Sequence, residues 1–233
     1  MDPRRKARVA GLLYLIGAAA GGAAEIFIRD RLVVSGNAAA TAANILAHES
    51  LFRFGGAADL ISVVCDTAVA LLFYELFAPV NKSLSLLMAF FRIIFVAVMA
   101  AITVNHFAAV LYIGRAQTVS AFSSQQLLEQ ALLSLRLQSV GYNIALVFFG
   151  FTCVLLGYLI VKSTFLPRIL GVLMAISGIG YLINSFVHLL APAYGGYAFK
   201  YILVPCGIGE LALIPWLLAV GVNSSRWRER AQE

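Results

Sequence analysis

Charged residues are scarce in this chain of 233 residues: Asp, Glu, Lys and Arg make up 12% of it, about half of their share in an average soluble domain. Hydrophobic residues make up 61%, and a water-soluble fold of this size has too little interior to hide them. The apolar runs are continuous rather than alternating, which argues against a transmembrane β-barrel. We therefore predict an all-α, polytopic membrane protein.

The sequence also lacks the short motifs of several enzyme classes. It has three cysteines, Cys65, Cys153 and Cys206, without a C-x-x-C pair, and each lies in an apolar run, so we expect buried free thiols. The H-E-x-x-H and H-x-x-x-H spacings of zinc sites are missing, as are the G-x-S-x-G motif of serine hydrolases and the glycine patterns of nucleotide-binding folds. Motifs alone therefore do not show whether the protein is an enzyme.

Six apolar stretches are long enough to cross a bilayer as helices, which takes about 20 residues. We predict a single membrane domain over residues 1–233, with spans at about 8–28, 51–77, 84–113, 138–161, 169–190 and 201–222. Two outer connections are predicted to contain short interfacial helices. One is an alanine-rich stretch that follows Asn37, a suitable N-cap. In the other, Ser123 and Gln126 fit a capping box, and the apolar stripe that follows either lies in the interface or extends the fourth span.

The distribution of basic residues predicts the orientation in the membrane. Six spans place both termini on one side, and the termini and loops of that side carry ten Lys and Arg against five in the opposite loops. This excess predicts that both termini are cytoplasmic in a multi-pass protein of the bacterial inner membrane. The basic ends are topology signals on this interpretation, and we expect the lipid bilayer rather than nucleic acid as the partner.

Acidic and basic residues inside the predicted spans are the main functional signal, since a charge near the bilayer centre costs roughly 2.5–3.5 kcal/mol on insertion scales. Asp59 and Asp66 share a face of the second span, and Arg92 and His106 share a face of the third. Counting about 1.5 Å per residue from the turn between these spans brings Asp66 near Arg92 and Asp59 near His106. We predict a structural ion pair between Asp66 and Arg92. Arg29 and Arg53, near span ends, are expected to reach lipid headgroups.

The fifth span carries a polar stripe that ends in Asn184 and His188, and the same counting places this end level with polar groups of other spans. The stripe also contains Ser177 and Tyr181. A deeper layer holds Asp66, Arg92 and Glu210. The residues predicted to line a ligand site near the outer surface are Glu25, Asp59, His106, Asn143, Asn184 and His188.

Three interpretations of these residues remain open. In the first, they line an outward-facing polar cavity that binds or transports a small polar or amphipathic molecule or a lipid, with Asp59, Asp66 and Glu210 as a proton relay. In the second, His106, His188 and Asp59 bind zinc, which activates a water molecule for hydrolysis inside the membrane. In the third, the polar groups only fix the helix packing of a membrane scaffold. The first interpretation is our leading hypothesis.

Several segments resemble a bacterial family of membrane proteins, the domain of unknown function 4386. They are Gly11–Leu15, Ala38–Ile45 with Leu51–Arg53, and Leu156–Ile160 with Leu166–Arg168 and Gly171. The resemblance implies a multi-span membrane protein with no assigned activity, and it would lead us to expect Asp where this chain has Asn37. It also draws attention to a group at the predicted outer mouth: Thr41, Asn44, Glu49 and Arg53.

Overall fold

The computed structural model describes residues 2–115 and 121–232, and the regular structure within these ranges is helical, without a strand. In this part of the chain, six helical segments are long and apolar enough to cross a membrane. They are Pro3–Leu32, Glu49–Phe77, Lys82–Gly114, Ser124–Lys162, Arg168–Leu190 and Pro192–Ala219. The all-α class and the number of spans are therefore confirmed.

The first and last spans are each built from more than one helical element. The first combines α1 (Pro3–Ala23), a π-helical turn (Ala24–Arg29) and α2 (Asp30–Leu32). The last combines five elements: a 3₁₀ turn (Pro192–Tyr194), α8 (Gly195–Ala198), a π-helical turn (Phe199–Leu203), α9 (Val204–Cys206) and α10 (Ile208–Ala219). The remaining helices are α3 (Ala38–Ala47), α4 (Glu49–Phe77), α5 (Lys82–Arg115), α6 (Ser124–Lys162), α7 (Arg168–Leu190) and α11 (Ser224–Gln232).

The fourth span begins well before the residue predicted from hydropathy. The backbone N–H of Ser123 donates to Gln126 Oε1 at 2.8 Å, and the Gln126 N–H donates to Ser123 Oγ at 3.2 Å, so the predicted capping box is formed. The apolar stripe that follows is part of α6, and its residues Leu127, Ala131 and Leu135 are buried. Of the two alternatives for this stripe, the structure has the extension of the fourth span.

The sixth span ends before the predicted residue 222. Gly221 has a φ of 74°, a left-handed conformation that glycine adopts without steric cost. Its N–H donates to the carbonyl of Trp216 at 3.0 Å, and that of Val220 donates to the same oxygen at 2.9 Å. These bonds satisfy a carbonyl that the end of the helix would otherwise leave open, so α10 ends at Ala219.

The chain forms two compact units. Unit 1 comprises Met1–Ile16, Val64–Ala97 and Asn143–Glu233, and unit 2 comprises Gly17–Val63 and Val98–Tyr142.

Glycines hold α6 and α7 in close contact within unit 1. A Cβ atom on Gly157 would lie 2.5 Å from the carbonyl oxygen of Gly171, and one on Gly178 would lie 2.6 Å from that of Gly150. Backbone therefore touches backbone at two levels of this helix pair, a packing that membrane helices achieve with small residues.

The interior of unit 2 is an apolar cluster to which α3 is fastened by polar bonds. Thr41 Oγ1 accepts from the N–H of Val34 at 3.0 Å and donates to its carbonyl at 3.1 Å, while Asn44 Nδ2 donates to the carbonyl of Leu32 at 3.2 Å. These bonds connect α3 to the backbone that leaves the first span. The cluster consists of Ile28, Leu32, Ala42, Ile45, Phe52, Ala109, Val110, Ile113, Ala131 and Leu135.

Candidate functional site

Arg29 joins two carboxylates in unit 2. Its Nη1 and Nη2 donate to the two oxygens of Asp59 at 2.6 and 3.1 Å, and its Nε donates to Glu25 at 2.5 Å. The Asp59 side chain is 3% exposed, whereas that of Glu25 is 49% exposed. Arg29 was expected to reach headgroups, and this expectation is wrong: the buried carboxylate of Asp59 holds its guanidinium through a two-point pair. The i, i+4 spacing of Glu25 and Arg29 in the sequence could have revealed the contact between these two residues.

The π-helical turn positions this group. Glu25 and Arg29 both belong to the turn Ala24–Arg29, and Asp30 follows directly. A π turn accommodates one residue more than an α turn, is less stable than regular helix, and is frequent at functional sites. Three charged residues of the first span, Glu25, Arg29 and Asp30, line the same cavity.

A cavity of about 250 Å³ opens beside these residues. Its lining combines charged, polar and apolar side chains, all from unit 2, and small-molecule sites typically combine apolar walls with a few polar groups in this way. The lining residues are Glu25, Arg29, Asp30, Val33, Met99, Ile102, Leu135, Gln138, Ser139 and Tyr142.

His106 is fully buried in unit 2 and is held by Phe52. Its Nε2 lies 2.7 Å from the Phe52 carbonyl oxygen, and its ring stacks on the Phe52 ring with 4.0 Å between centroids. Because a carbonyl only accepts, this contact requires the proton on Nε2. Gly56 leaves the necessary room, since a Cβ there would lie 2.8 Å from His106 Cδ2.

Asp59 and His106 were predicted to lie at the same level of the helix pair. They interact electrostatically, and Gln138 neighbours the imidazole as well. Their direct partners differ, however: Asp59 pairs with Arg29, and His106 bonds to the backbone of Phe52. Gln138 is 7% exposed and lines the cavity, and no hydrogen bond of normal geometry reaches its Oε1 or His106 Nδ1.

The predicted outer-mouth residues divide into two pairs. Thr41 and Asn44 make the backbone bonds described above and fasten α3. Arg53 Nε donates to Glu49 Oε1 at 2.7 Å in an exposed pair one helical turn apart. Glu49 and Arg53 line a second, smaller cavity of unit 2, of about 180 Å³.

In unit 1, Arg92 is fully buried in an aromatic cage. One of its terminal nitrogens donates to Asp66. Its guanidinium carbon lies 4.5 Å from the ring centroid of Tyr14, 5.6 Å from that of Phe73 and 5.5 Å from that of Phe149. Within the described residues its Nε and Nη1 have no hydrogen-bond acceptor, so the aromatic faces replace part of the lost hydration through cation–π attraction.

Glu210 lies beside this cage and binds two tyrosines. Tyr14 donates to Glu210 Oε2 at 2.7 Å, and the Tyr181 hydroxyl donates to Oε1. Tyr14 thus contacts Arg92 with its ring face and Glu210 with its hydroxyl. The sequence indicated Glu210 and Tyr181 separately, but not that tyrosines would supply the donors for the carboxyl group.

The other predicted residues of unit 1 form short local contacts. Asn184 Nδ2 donates to Asn143 Oδ1 at 3.2 Å, and His188 Nδ1 lies 3.0 Å from the Asn184 carbonyl oxygen. Ser177 donates to the carbonyl of Cys206, close to the break before α10. The contacts of Asn184 and Ser177 link the polar stripe of α7 to neighbouring helices, whereas that of His188 lies within α7.

Within residues 2–115 and 121–232, no group of three or more His, Cys, Asp or Glu side chains is arranged to hold a metal ion. The predicted zinc ligands His106, His188 and Asp59 therefore do not form such a group there. Their direct contacts are an arginine for Asp59 and backbone carbonyls for both histidines.

Comparison with known proteins supports the family resemblance. The sequence model of the family described as "Domain of unknown function (DUF4386)" matches residues 9–221. The chain belongs to this family. An uncharacterized protein of Archaeoglobus fulgidus is 31% identical to it over 159 residues, which cover 68% of this chain and 78% of that protein. No solved structure matches.

In this DUF4386 protein, the segments that carried the resemblance have structural roles. Thr41 and Asn44 fasten α3 to the first span. Gly157 and Gly171 form one of the backbone contacts between α6 and α7. Asn37, where the resemblance suggested Asp, caps α3 by accepting from the N–H of Ala40 at 2.9 Å. These residues of the segments therefore contribute to helix packing and to a helix end.

Proposed function

We propose that this DUF4386 protein binds or transports a small amphipathic molecule at the cavity of unit 2, in the cytoplasmic membrane of a bacterium and with both termini in the cytoplasm. The orientation is supported by the excess of Lys and Arg on the side of the termini. The binding function is supported by one observation above all: a cavity of about 250 Å³ beside a charged group within a membrane helix.

The composition of the cavity wall supports an amphipathic ligand. Glu25, Arg29 and Asp30 give it a charged side, whereas Met99 and Ile102 are among its apolar residues. A molecule with a polar head and a short apolar part would satisfy both sides.

A purely structural role explains the group less well. Asp59 is buried and bidentately paired, as a structural ion pair would be. Glu25, in contrast, is half-exposed, and its contact with Arg29 runs through Nε. Intramembrane charges in transport proteins commonly face a cavity in this manner.

Binding can be tested with four matched probes, hexylammonium, hexyltrimethylammonium, 1-hexanol and hexanoate, on the protein in lipid nanodiscs. A ligand specific to the folded state raises the unfolding free energy by about 2.7 kcal/mol at 100 times its Kd, so thermal unfolding is followed against probe concentration. We expect saturable stabilisation by at least one probe, and its loss in Ser139→Trp, which fills the cavity without removing a charge. Glu129→Gln is the control, because Glu129 is exposed on α6 and bonds to Gln125.

Proteoliposome uptake separates transport from binding. A carrier accumulates or equilibrates the bound probe across the bilayer at a rate that Ser139→Trp abolishes, whereas a receptor binds without flux. If no probe stabilises the protein saturably, or if Ser139→Trp binds as the unaltered protein does, the proposed function is wrong.

A further inference from the structure

We infer that the cavity of unit 2 selects ligands that carry an ammonium group able to donate hydrogen bonds. This inference rests on the proposed function and adds the chemical class of the ligand. It depends on the charge around the cavity, on the way Arg29 is shared, and on a buried acceptor in the wall.

The charge of the site is negative. Among the lining residues, Glu25 and Asp30 contribute two carboxylates and Arg29 contributes one guanidinium, for a formal charge of −1. Arg31, the next basic residue, stacks its guanidinium 5.6 Å from the ring centroid of Phe27 and is not among the lining residues. A cationic ligand would reduce the excess negative charge, and an anionic one would increase it.

The way Arg29 is paired leaves the Glu25 carboxylate free to exchange its contact with Arg29 for one with a ligand. Asp59 takes both terminal nitrogens of Arg29 and is buried, so this contact anchors the guanidinium. Glu25 takes only Nε and is 49% exposed. A ligand ammonium can therefore bind Glu25 without displacing Arg29 from Asp59.

Gln138 supplies an acceptor that is independent of the carboxylates. Its side chain lines the cavity on α6, is 7% exposed and neighbours the His106 imidazole, and within the described residues no hydrogen bond of normal geometry reaches its Oε1. An N–H of the ligand could donate to this oxygen. The need for a donor distinguishes a primary ammonium from a quaternary one, which has charge but no N–H.

The four hexyl probes share one apolar chain, so they separate the contributions of ligand charge and of N–H donors to binding. We expect hexylammonium to bind at least ten-fold more tightly than 1-hexanol and hexanoate, with hexyltrimethylammonium in between. Glu25→Gln should weaken hexylammonium at least ten-fold and leave 1-hexanol unchanged, while Glu129→Gln should leave both unchanged. Gln138→Leu should reduce the preference for hexylammonium over hexyltrimethylammonium. Asp30→Asn provides a second carboxylate variant in case Glu25→Gln does not fold.

Three results would overturn the inference and leave the proposed function intact. They are equal or tighter saturable binding of hexanoate or 1-hexanol, equal or tighter binding of hexyltrimethylammonium, or hexylammonium binding that neither Glu25→Gln nor Asp30→Asn changes. The absence of saturable binding by all four probes would overturn the proposed function itself, and the inference with it.

Discussion

Arg92 and Tyr14 form a stacked pair in which the guanidinium carbon lies 4.5 Å from the centre of the phenol ring. The pair connects the buried Asp66 with the half-buried Glu210, because Arg92 binds Asp66 and the Tyr14 hydroxyl binds Glu210. A planar guanidinium can stack on a ring and bind a carboxylate at the same time, which a lysine ammonium does less well.

Removal of Arg92 should destabilise the protein strongly, because it leaves Asp66 buried without its cation. For Arg92→Met we expect a loss of about 3–5 kcal/mol in unfolding free energy, measured by denaturant unfolding in mixed micelles. The double variant Asp66→Leu/Arg92→Met should recover most of this loss, since it removes both charges. The pair has no such structural importance if Arg92→Met is as stable as the unaltered protein.

The two tyrosines that bind Glu210 should each contribute to stability through their hydroxyl groups. Tyr14→Phe and Tyr181→Phe should each cost about 1–3 kcal/mol, because each removes a hydrogen bond to a carboxyl group. Both costs should shrink in a Glu210→Gln background, and a double-mutant cycle measures this coupling. Tyr158→Phe, at an exposed position of α6, serves as the control. Equal costs with and without Glu210 would contradict the prediction.

Gly157 should not tolerate a side chain. In Gly157→Ala the new Cβ would lie 2.5 Å from the Gly171 oxygen and 2.7 Å from the Ala175 nitrogen, and backbone atoms cannot move aside as a side chain can. We expect α6 and α7 to separate locally, at a cost of about 1–3 kcal/mol. Gly22→Ala is the matched control, because nothing lies within 4 Å of its Cβ position and alanine favours helix by about 1 kcal/mol. Thermal unfolding of both variants in the same detergent is the measurement, and equal midpoints would refute the contact.

The cap of α3 should depend on an acceptor at position 37 rather than on asparagine itself. Asn37→Ala should cost about 1 kcal/mol, whereas Asn37→Asp should cost almost nothing, since Asp accepts from the Ala40 N–H equally well. Hydrogen exchange in Ala38–Ala47 reports the local stability of this helix. Faster exchange in both variants, or in neither, would show that the cap does not control the helix.

The fold class and the number of spans followed from hydropathy alone, because helix length in a bilayer is fixed by bilayer thickness. Span ends were less accurate, because helices end where backbone groups are satisfied rather than where hydrophobicity stops. The capping box at Ser123 starts the fourth span and the left-handed Gly221 follows the end of the sixth. The first was recognised in the sequence but could not be given a place relative to the span, and the second was not recognised.

The polar contacts were predictable to different degrees for a geometric reason. The approach of Asp66 and Arg92 could be counted from a short turn, where errors in depth stay small. The pairing of Asp59 with Arg29 could not, because a connection that contains α3 separates their helices and Arg29 lies in a π turn that regular helical counting does not include. The aromatic cage of Arg92 draws Tyr14, Phe73 and Phe149 from three helices, and no periodicity within a single helix indicates such a meeting.

The π turn at Ala24–Arg29 has an evolutionary consequence. Since the turn absorbs one surplus residue, deletion of a single codon there would restore a regular α-helix and keep Leu32 directed at the same buried neighbours. The deletion would nevertheless change the spacing of Glu25 and Arg29 along the helix. The length of this segment therefore governs how Glu25 and Asp59 share Arg29, while the packing of Leu32 does not depend on it.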